Sequence, residues 1–241
     1  MIYYAKTHKG NVRQTNEDAI YIPDDDRGFF AVVADGMGGH SAGEVASGIV
    51  IESVCEVLGA VKPQETSAQV INKALCHANS RVWQSAKNDP SKRGMGSTAT
   101  IAAFVKGQAL IGNVGDSRAY HFCDGHMTQV TKDHSYVQIL VDRGYITKED
   151  ALRHPQKNVI TRAIGTETDI EVDIFTVALH TGDAVLLCSD GLNNTVPDEE
   201  ILRIMQKDIS SAADRLIEAA LEGGGTDNVS VVIAVNNGGA V

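Results

Sequence analysis

Acidic residues stand at the ends of five short apolar runs, and this repeated pattern constrains the fold more than any other feature of the sequence. The clearest case is 29–40, FFAVVADGMGGH, in which a strand-like run stops at Asp35 and is followed by glycines. A single site of this kind has an ordinary explanation, because aspartate and glycine are common turn formers. The pattern recurs, however, and the acids concerned are Glu17, Asp18, Asp35, Asp116, Asp190 and Asp227. If these strand ends converge in the fold, the acids form one cluster.

The strand-like runs follow one another with short turns, which favours hairpins and antiparallel pairing over alternating βαβ units. These runs are 19–22, 29–34, 98–105, 109–114, 118–122, 184–189 and 229–235. Apolar residues recur at helical spacing in 41–58, 71–82 and 209–220. Each of these helices has one apolar face, so we expect the helices to pack against the sheets.

Two segments carry sequence signals for the start of a helix. Ser41 is a candidate N-cap, and Glu44 completes a capping-box pattern. The segment 134–165 differs from its surroundings because it predicts two short helices, with Thr147 as a cap, inserted between strands. A subdomain of this kind suits a lid or a substrate platform.

Composition narrows the classes of protein that the chain can belong to. The 241 residues are 43% hydrophobic, which predicts a single domain over 1–241. The net charge of −10 argues against nucleic acid or an anionic membrane surface as a partner, and it suits a site that collects cations. The chain lacks an apolar run of ~20 residues, and MIYYAKTHKG does not resemble a signal peptide, so we expect a cytoplasmic protein. The cysteines form no C-x-x-C pair, which favours reduced core thiols over disulfides or zinc ligands.

A cluster of carboxylates has predictable chemistry. Neighbouring carboxylates repel one another and raise one another's pKa, so the cluster needs cations, and all-oxygen ligands select Mg²⁺, Mn²⁺ or Ca²⁺. The adjoining glycines would leave room for backbone carbonyls and waters around the ions. Two ions about 3.5–4 Å apart activate a bridging water and neutralise a phosphate, which predicts a phosphoester substrate. Arg13 is a candidate to orient the phosphate oxygens, and its ordinary alternative is a solvated loop arginine.

Six motifs make the chain recognisable. In order along the chain they are RQTNED, ADGMGGHSAGE, MGSTAT, GDSRAY, CSDGL and GGTDNVSV. Together they resemble the metal-dependent serine/threonine protein phosphatases of the PP2C (PPM) family in their compact bacterial form, from about residue 5 to residue 235. The resemblance implies an α+β fold, an α-β-β-α sandwich of two antiparallel sheets flanked by helices. It also implies that the segment 134–165 is the family's mobile flap.

The resemblance assigns a role to each acid. Asp35 would bridge two Mn²⁺ or Mg²⁺ ions, and the Gly36 carbonyl would bind one of them. Asp190 and Asp227 would hold one ion, and Glu17 would bind the other directly or through waters. Three further roles are implied: Asp18 would support the ligands of the second ion, Asp116 would belong to a weaker third metal site, and Arg13 would bind the phosphate. The implied reaction is attack on phosphoserine or phosphothreonine by a water that bridges the two ions, without a phosphoenzyme.

The sequence departs from the family pattern at two positions. Eukaryotic members have a histidine, a candidate general acid, where this chain has Met37; His40 or a metal-bound water are the alternatives here. At the third metal site the chain has Asn194 where an acid is expected, so a third ion should bind weakly if at all.

Rival functions are judged on the same residues. A cysteine-phosphatase mechanism needs an arginine six residues after a cysteine, and none of the four cysteines has one. Ser117 lies in a sequence close to the serine-hydrolase elbow G-x-S-x-G, but the last position is Ala119. A non-catalytic binding module and a phosphatase of small phosphoesters stay as alternatives. The resemblance implies phosphorylated proteins as substrates, a serine/threonine kinase and its targets as partners, and a monomeric chain.

Overall fold

The computed structural model describes residues 1–24, 28–38 and 42–238, and it contains two antiparallel sheets with helices on their outer faces. The strands are β1 (Ile2–His8), β2 (Asp18–Tyr21), β3 (Phe30–Met37), β4 (Gly96–Ser97), β5 (Ala99–Val105), β6 (Gln108–Val114), β7 (Arg118–Cys123), β8 (His126–Gln129), β9 (Asp173–Ala178), β10 (Ala184–Cys188) and β11 (Val229–Val235). The helices are α1 (Ala42–Leu58), α2 (Ala68–Asn88), α3 (Tyr136–Asp142), α4 (Lys148–Leu152), α5 (Asp190–Asn193), α6 (Asp198–Lys207) and α7 (Ala212–Glu222), and two 3₁₀ turns are Pro63–Glu65 and Pro90–Lys92.

One sheet has the strand order β1-β11-β10-β7-β8, and the other has the order β2-β3-β5-β6-β9 with the short β4 paired to β3. Strand β10 lies in the middle of the first sheet, where Cys188 pairs with Arg118 of β7 and with Val231 of β11. In the second sheet, Asp18 at the start of β2 lies opposite Asp35 in β3. This register brings acids that are distant in sequence to the same end of the sandwich.

The core has three apolar layers because inner strands of both sheets, such as β3, β5 and β10, are buried on both faces. In β3, Ala31 and Val33 face the other sheet, and Val32 and Ala34 face α1 and α2. Helices α6 and α7 cover the outer face of the first sheet with their apolar faces, and Ile204 of α6 is one of the residues that they bury there. The predicted α-β-β-α sandwich is confirmed.

The seven predicted strands and the three predicted helices are confirmed, with ends that differ by a few residues. The candidate N-cap Ser41 lies outside the described residues. The strands β1, β4, β8 and β9 and the helices α5 and α6 were not predicted. Signals for α6 were present, since Pro197 precedes it and its first turn is acidic.

The segment 134–165, here called the flap segment, contains α3 and α4, as predicted. The Thr147 hydroxyl accepts a hydrogen bond from the Asp150 backbone N–H at 3.1 Å, and the Asp150 carboxylate accepts one from the Thr147 backbone, so the predicted cap is confirmed. A bridge between Ser135 and Ile160 closes the segment on itself, and Ile164 pairs with Ser97 beside β3. Among the helices in the described part of the chain, none has the length and apolar character to cross a membrane.

Candidate metal centre

The acids predicted from the strand ends converge at one end of the sandwich. Each is positioned by the end of a strand, as follows: Asp18 begins β2, Asp35 lies in β3, Asp116 lies between β6 and β7, Asp190 follows β10 and Asp227 precedes β11. The negative charges of Asp18, Asp190 and Asp116 all act on Asp35, which lies at the centre of the group. These residues are called the acid cluster below.

Electrostatic repulsion dominates the acid cluster. Burial, followed by the charges of Asp18 and Asp190, holds the pKa of Asp35 well above its ordinary value. Burial and the charge of Asp190 raise the pKa of Asp116 to about 8. Burial and the charge of Asp227 raise the pKa of Asp190 to about 6, although a hydrogen bond from Asp35 and the charge of Lys157 oppose the rise. Without added positive charge, Asp35 and Asp116 therefore keep protons near neutral pH.

Asp18 has one carboxylate oxygen that the described residues leave unpaired. Its Oδ2 accepts hydrogen bonds from the hydroxyls of Ser189 at 2.8 Å and Ser230 at 2.7 Å. Its Oδ1 is buried and has no hydrogen-bond partner in the described part of the chain. Burial raises the pKa of Asp18 to about 7 despite the two serine donors. A buried carboxylate oxygen without a partner is costly, and a cation bound in the cluster would remove that cost.

Glu17 is held by its backbone beside the acid cluster. Its N–H donates to Asn228 Oδ1 at 2.7 Å, and its carbonyl accepts from the Ser47 hydroxyl at 2.6 Å. Burial raises the pKa of its side chain, and the Arg13 charge opposes that rise.

Two glycines of this region have a packing role that the sequence did not predict. A Cβ on Gly36 would collide with the backbone carbonyls of Gly43 and Glu17, and a Cβ on Gly43 would lie 2.7 Å from Glu17 Cδ. Both glycines therefore allow α1 to approach β3 and Glu17 closely. The packing is one reason for both glycines, and the room that they leave around an ion stays a prediction.

Arg13 lies at the edge of the acid cluster. Its Nη2 donates to Asp227 Oδ2 at 2.8 Å, and about half of its side chain is exposed (51%). The alternative of a purely solvated loop arginine is therefore wrong. The guanidinium is fixed at the cluster and still accessible from solvent, as a group that binds an incoming anion must be.

Asp116 lies in a turn fixed by backbone and side-chain hydrogen bonds. The Gly115 N–H donates to His134 Nδ1 at 3.0 Å, and the Gly115 carbonyl accepts from the His134 N–H at 2.9 Å. Ser117 is fully buried, and its hydroxyl is 2.7 Å from that of Thr98, so it is a turn residue and not an accessible nucleophile. Asn194, the departure from the family pattern, donates its amide N–H to Asp190 Oδ2 at 2.9 Å.

Comparison with known proteins places the chain in a family. The family model described as protein phosphatase 2C matches residues 7–223. This chain belongs to the protein phosphatase 2C family. The resemblance seen in the six motifs is thereby confirmed.

Sequence similarity to individual relatives covers nearly all of this chain. It is 42% identical over 233 residues to serine/threonine protein phosphatase PstP of Mycobacterium tuberculosis, covering 96% of this chain but only 44% of that protein. It is 38% identical over 238 residues to serine/threonine phosphatase stp of Listeria innocua, covering 96% of this chain and 94% of that protein. A crystal structure of the PstP catalytic domain in complex with two manganese ions superposes with a TM-score of 0.89 at 39% identity and covers 97% of both chains.

A groove of about 360 Å³ connects the acid cluster to the flap segment. Asp116 and Asp190 line one side, and Lys148, Leu152 and Lys157 of the flap segment line the other. A larger groove of about 520 Å³ lies elsewhere, and its described lining contains no acidic residue. The groove that reaches the cluster therefore combines two of the predicted metal ligands with basic side chains.

Two residues bear on the general acid: Met37, at the position where eukaryotic members have a histidine, and the candidate His40. Met37 ends β3, and its Cε would be 2.6 Å from a Cβ on Gly96, so the side chain packs against that glycine. His40 lies outside the described residues and stays a prediction.

Sequence reasoning missed the residues that support the acids, namely Ser47, Ser189, Asn228 and Ser230. Two of them had a local signal, because Ser189 directly precedes Asp190 and Asn228 directly follows Asp227. Ser230 lies in β11 of the first sheet and Asp18 in β2 of the second, 212 residues apart in sequence, so it is the packing of one sheet on the other that brings the two together.

Proposed function

We propose that this chain is a metal-dependent protein phosphatase that hydrolyses phosphoserine and phosphothreonine in proteins. The observation that carries the proposal is the acid cluster, which combines mutually repelling carboxylates with an unpaired buried oxygen on Asp18. Membership of the protein phosphatase 2C family and the names of its relatives support the same activity. The groove beside the cluster supports a substrate larger than free phosphate.

The donor set of the cluster fits Mn²⁺ or Mg²⁺, since carboxylate and carbonyl oxygens suit these hard cations and the cluster has a deficit of positive charge. The residues that would hold two ions are Glu17, Asp35, Gly36 through its carbonyl, Asp190 and Asp227, with Asp18 supporting the ligands. When bound, such a pair of ions lowers the pKa of water and neutralises charge on a phosphoryl group. We propose a weak third site at Asp116, because Asn194 adds no negative charge there.

The chain's own residues would bind and orient the phosphoryl group. Arg13 donates to Asp227 in the free protein, and the fork of its guanidinium can turn the remaining N–H groups toward phosphate oxygens. Two lysines of the flap segment, Lys148 and Lys157, line the groove and would attract the charged phosphopeptide. The flap segment would thus contribute to substrate selection without taking part in the chemistry.

Three further parts of the proposal concern the general acid, the partners and the oligomeric state. We propose His40 as the proton donor to the leaving alkoxide, because in the sequence it follows β3, the strand that contains Asp35, by a few residues. Substrates would be phosphorylated proteins, with a serine/threonine kinase and its targets as partners. The chain would act as a monomer.

The test is phosphate release from a phosphothreonine peptide by the purified protein in Mn²⁺ or Mg²⁺, with chelator as a control. Asp35→Asn should lower the rate by at least about 100-fold, because losing a central ligand removes several kcal/mol of transition-state stabilisation. Asp214→Asn is the matched control, since Asp214 is an exposed acid paired with Lys6 at 2.5 Å, and it should keep the rate within about twofold.

Each outcome of this test has a defined meaning. Release that requires metal and is lost only in Asp35→Asn supports the proposal. Release from small phosphoesters but not from the peptide would favour the small-substrate alternative. A folded, metal-loaded protein that releases phosphate from neither would favour a non-catalytic binding module.

A further inference from the structure

A second group of metal-ligating side chains lies at the other end of β10, and it consists of His121, Cys123 and Asp183. His121 and Cys123 are two residues apart on β7, so their side chains share one face of the sheet. Asp183 directly precedes β10. The first residue of β10, Ala184, pairs with Phe122, which lies between His121 and Cys123 on β7. One ligand atom from each side chain lies within 4.8 Å of the other two. These residues are called the mixed cluster below.

The mixed cluster is held in place by regular structure. Asp183 is buried, and its Oδ2 accepts hydrogen bonds from the His180 backbone N–H at 2.9 Å and from His121 Nε2 at 3.1 Å. The side chain of His121 is only 17% exposed, so its ring has little freedom to turn away. Cys123 is partly exposed and leaves the cluster open to solvent on one side. An ion could therefore enter without unfolding the ends of β7 and β10.

The chemistry of the donors selects a particular class of ion. An imidazole nitrogen, a thiolate sulfur and a carboxylate oxygen together suit Zn²⁺ and related transition metals, whereas Mg²⁺, Mn²⁺ and Ca²⁺ prefer oxygen alone. Zinc binds such atoms at ~2.0–2.3 Å, which places neighbouring ligand atoms roughly 3.3–3.8 Å apart. Shifts of about an ångström in side-chain position would bring the three atoms to that spacing.

A fourth ligand is within reach. His180 Nδ1 lies 3.5 Å from Asp183 Oδ2, and the side chain of His180 is exposed and free to reorient. Four ligands would complete the tetrahedral coordination that zinc adopts in structural sites. With three protein ligands only, water would take the fourth position.

We propose that His121, Cys123 and Asp183 form a binding site for a zinc-class transition metal ion, with His180 or water as the fourth ligand. The sequence pattern had favoured reduced core thiols for all four cysteines, because none forms a C-x-x-C pair. No local motif pairs Cys123 with Asp183, which lies 60 residues farther along the chain. The site is separate from the acid cluster, since the five residues of β10 span about 17 Å at ~3.3 Å per residue. Metal bound here would join β7 to the start of β10 and stabilise the folded state.

The experiment uses Co²⁺ as a spectroscopic substitute for zinc, added to the protein in excess Mg²⁺ so that the oxygen ligands of the acid cluster are occupied. Co²⁺ bound to a thiolate gives an intense sulfur-to-metal charge-transfer band, which oxygen ligands cannot produce. We expect this band to saturate at one Co²⁺ per chain and to disappear when Zn²⁺ is added. We also expect Zn²⁺ to raise the melting temperature in the same excess of Mg²⁺.

Matched cysteine variants assign the band to one residue. Cys123→Ser should abolish the band and the zinc-dependent rise in melting temperature, whereas Cys55→Ser and Cys76→Ser should retain both, because these partly exposed thiols lie on α1 and α2. His121→Gln keeps the thiol but removes the imidazole, and it should weaken Co²⁺ binding by at least about tenfold. His121→Gln also keeps the test decisive if Cys123→Ser does not fold.

Two results would overturn the proposal. The first is a wild-type protein that develops no thiolate charge-transfer band at stoichiometric Co²⁺. The second is a band that survives unchanged in Cys123→Ser or in His121→Gln, which would mean that another thiol binds the ion without the mixed cluster.

Discussion

Asp183 and Asp190 flank the same strand, β10, and they meet opposite electrostatic surroundings. Burial raises the pKa of Asp183, but hydrogen bonds from the His180 backbone, from His121 and from Cys123 outweigh it and leave the pKa below its ordinary value. Burial and Asp227 raise the pKa of Asp190 to about 6. One carboxylate is stabilised by donors of the protein itself, and the other has neighbours of its own charge.

The same contrast appears between two carboxylates near the acid cluster, those of Asp133 and Asp116. Arg118 donates to both oxygens of Asp133 at 2.7–3.1 Å, in a partly buried pair. Asp116, two residues before Arg118, keeps a pKa of about 8 through burial and the charge of Asp190. The fold can therefore neutralise a carboxylate in this region, yet the acids of the cluster are left without a matching number of protein cations. A site that must bind cations from solution needs this imbalance.

The largest expected effect comes from exchanging aspartate for asparagine at each end of β10. Asp190→Asn should lower metal-dependent phosphate release by at least about 100-fold, since it removes a proposed ligand. In the metal-free protein, the same change should raise the melting temperature, because it removes one of the repelling charges. Asp183→Asn should lower the melting temperature, by the equivalent of about 1–3 kcal/mol, since its charged hydrogen-bond acceptor is lost.

Thermal denaturation of the two variants in chelator measures this difference, with phosphopeptide hydrolysis by Asp190→Asn measured alongside. The comparison fails if both variants shift the melting temperature in the same direction. It would then follow that the two ends of β10 do not differ in how their carboxylates are stabilised.

A smaller effect should come from the serines that support Asp18. Ser230→Ala removes a 2.7 Å hydrogen bond to Asp18 Oδ2 and leaves a proposed supporting carboxylate with Ser189 as its remaining serine donor. Loss of such a partner weakens metal binding by about 10- to 100-fold in general, and we expect that range here. The measurement is the Mn²⁺ concentration that gives half-maximal phosphate release, together with calorimetric titration of Mn²⁺.

Ser53→Ala is the matched control for Ser230→Ala. Ser53 is also fully buried, but its hydroxyl donates to the Ile49 carbonyl within α1 at 2.6 Å, away from the acids. Its metal dependence should stay that of the wild type. An unchanged Mn²⁺ requirement in Ser230→Ala would remove Asp18 from the support of the metal ligands.

The acid cluster and the mixed cluster also differed in how far the sequence revealed them. Asp35 and Asp190 were found because each interrupts an apolar run next to glycine, which is a local signal. Asp183 stands in TGD, an ordinary turn sequence, and its partner His121 lies 62 residues away. The packing role of Gly36 was missed for a related reason, since one carbonyl that excludes a Cβ belongs to Gly43 of α1. Local patterns predicted the layers and the acids, whereas contacts between distant segments required the structure.

The last comparison concerns a pH dependence confined to the metal-free protein. Asp18, Asp116 and Asp190 have pKa values raised to about 7, 8 and 6 from an ordinary value of 3.8, with burial the largest cause in each case. Between about pH 4 and pH 8 the folded chain therefore binds more protons than the unfolded chain, and its stability falls as the pH rises. Asp183 has the opposite sign, because its lowered pKa contributes stability that is lost only below about pH 4.

The melting temperature in chelator should therefore fall from pH 5 to pH 8, by roughly 2–4 °C for each kcal/mol of stability lost in a chain of this size. Excess Mg²⁺ should abolish this fall, since cations then balance the carboxylates in place of protons. Asp116→Asn should flatten the upper part of the curve, where its own pKa of about 8 contributes. A metal-free protein that is most stable at pH 8 would mean that the acid cluster is not repulsive. The contrast between Asp190 and Asp183 would then have no electrostatic basis.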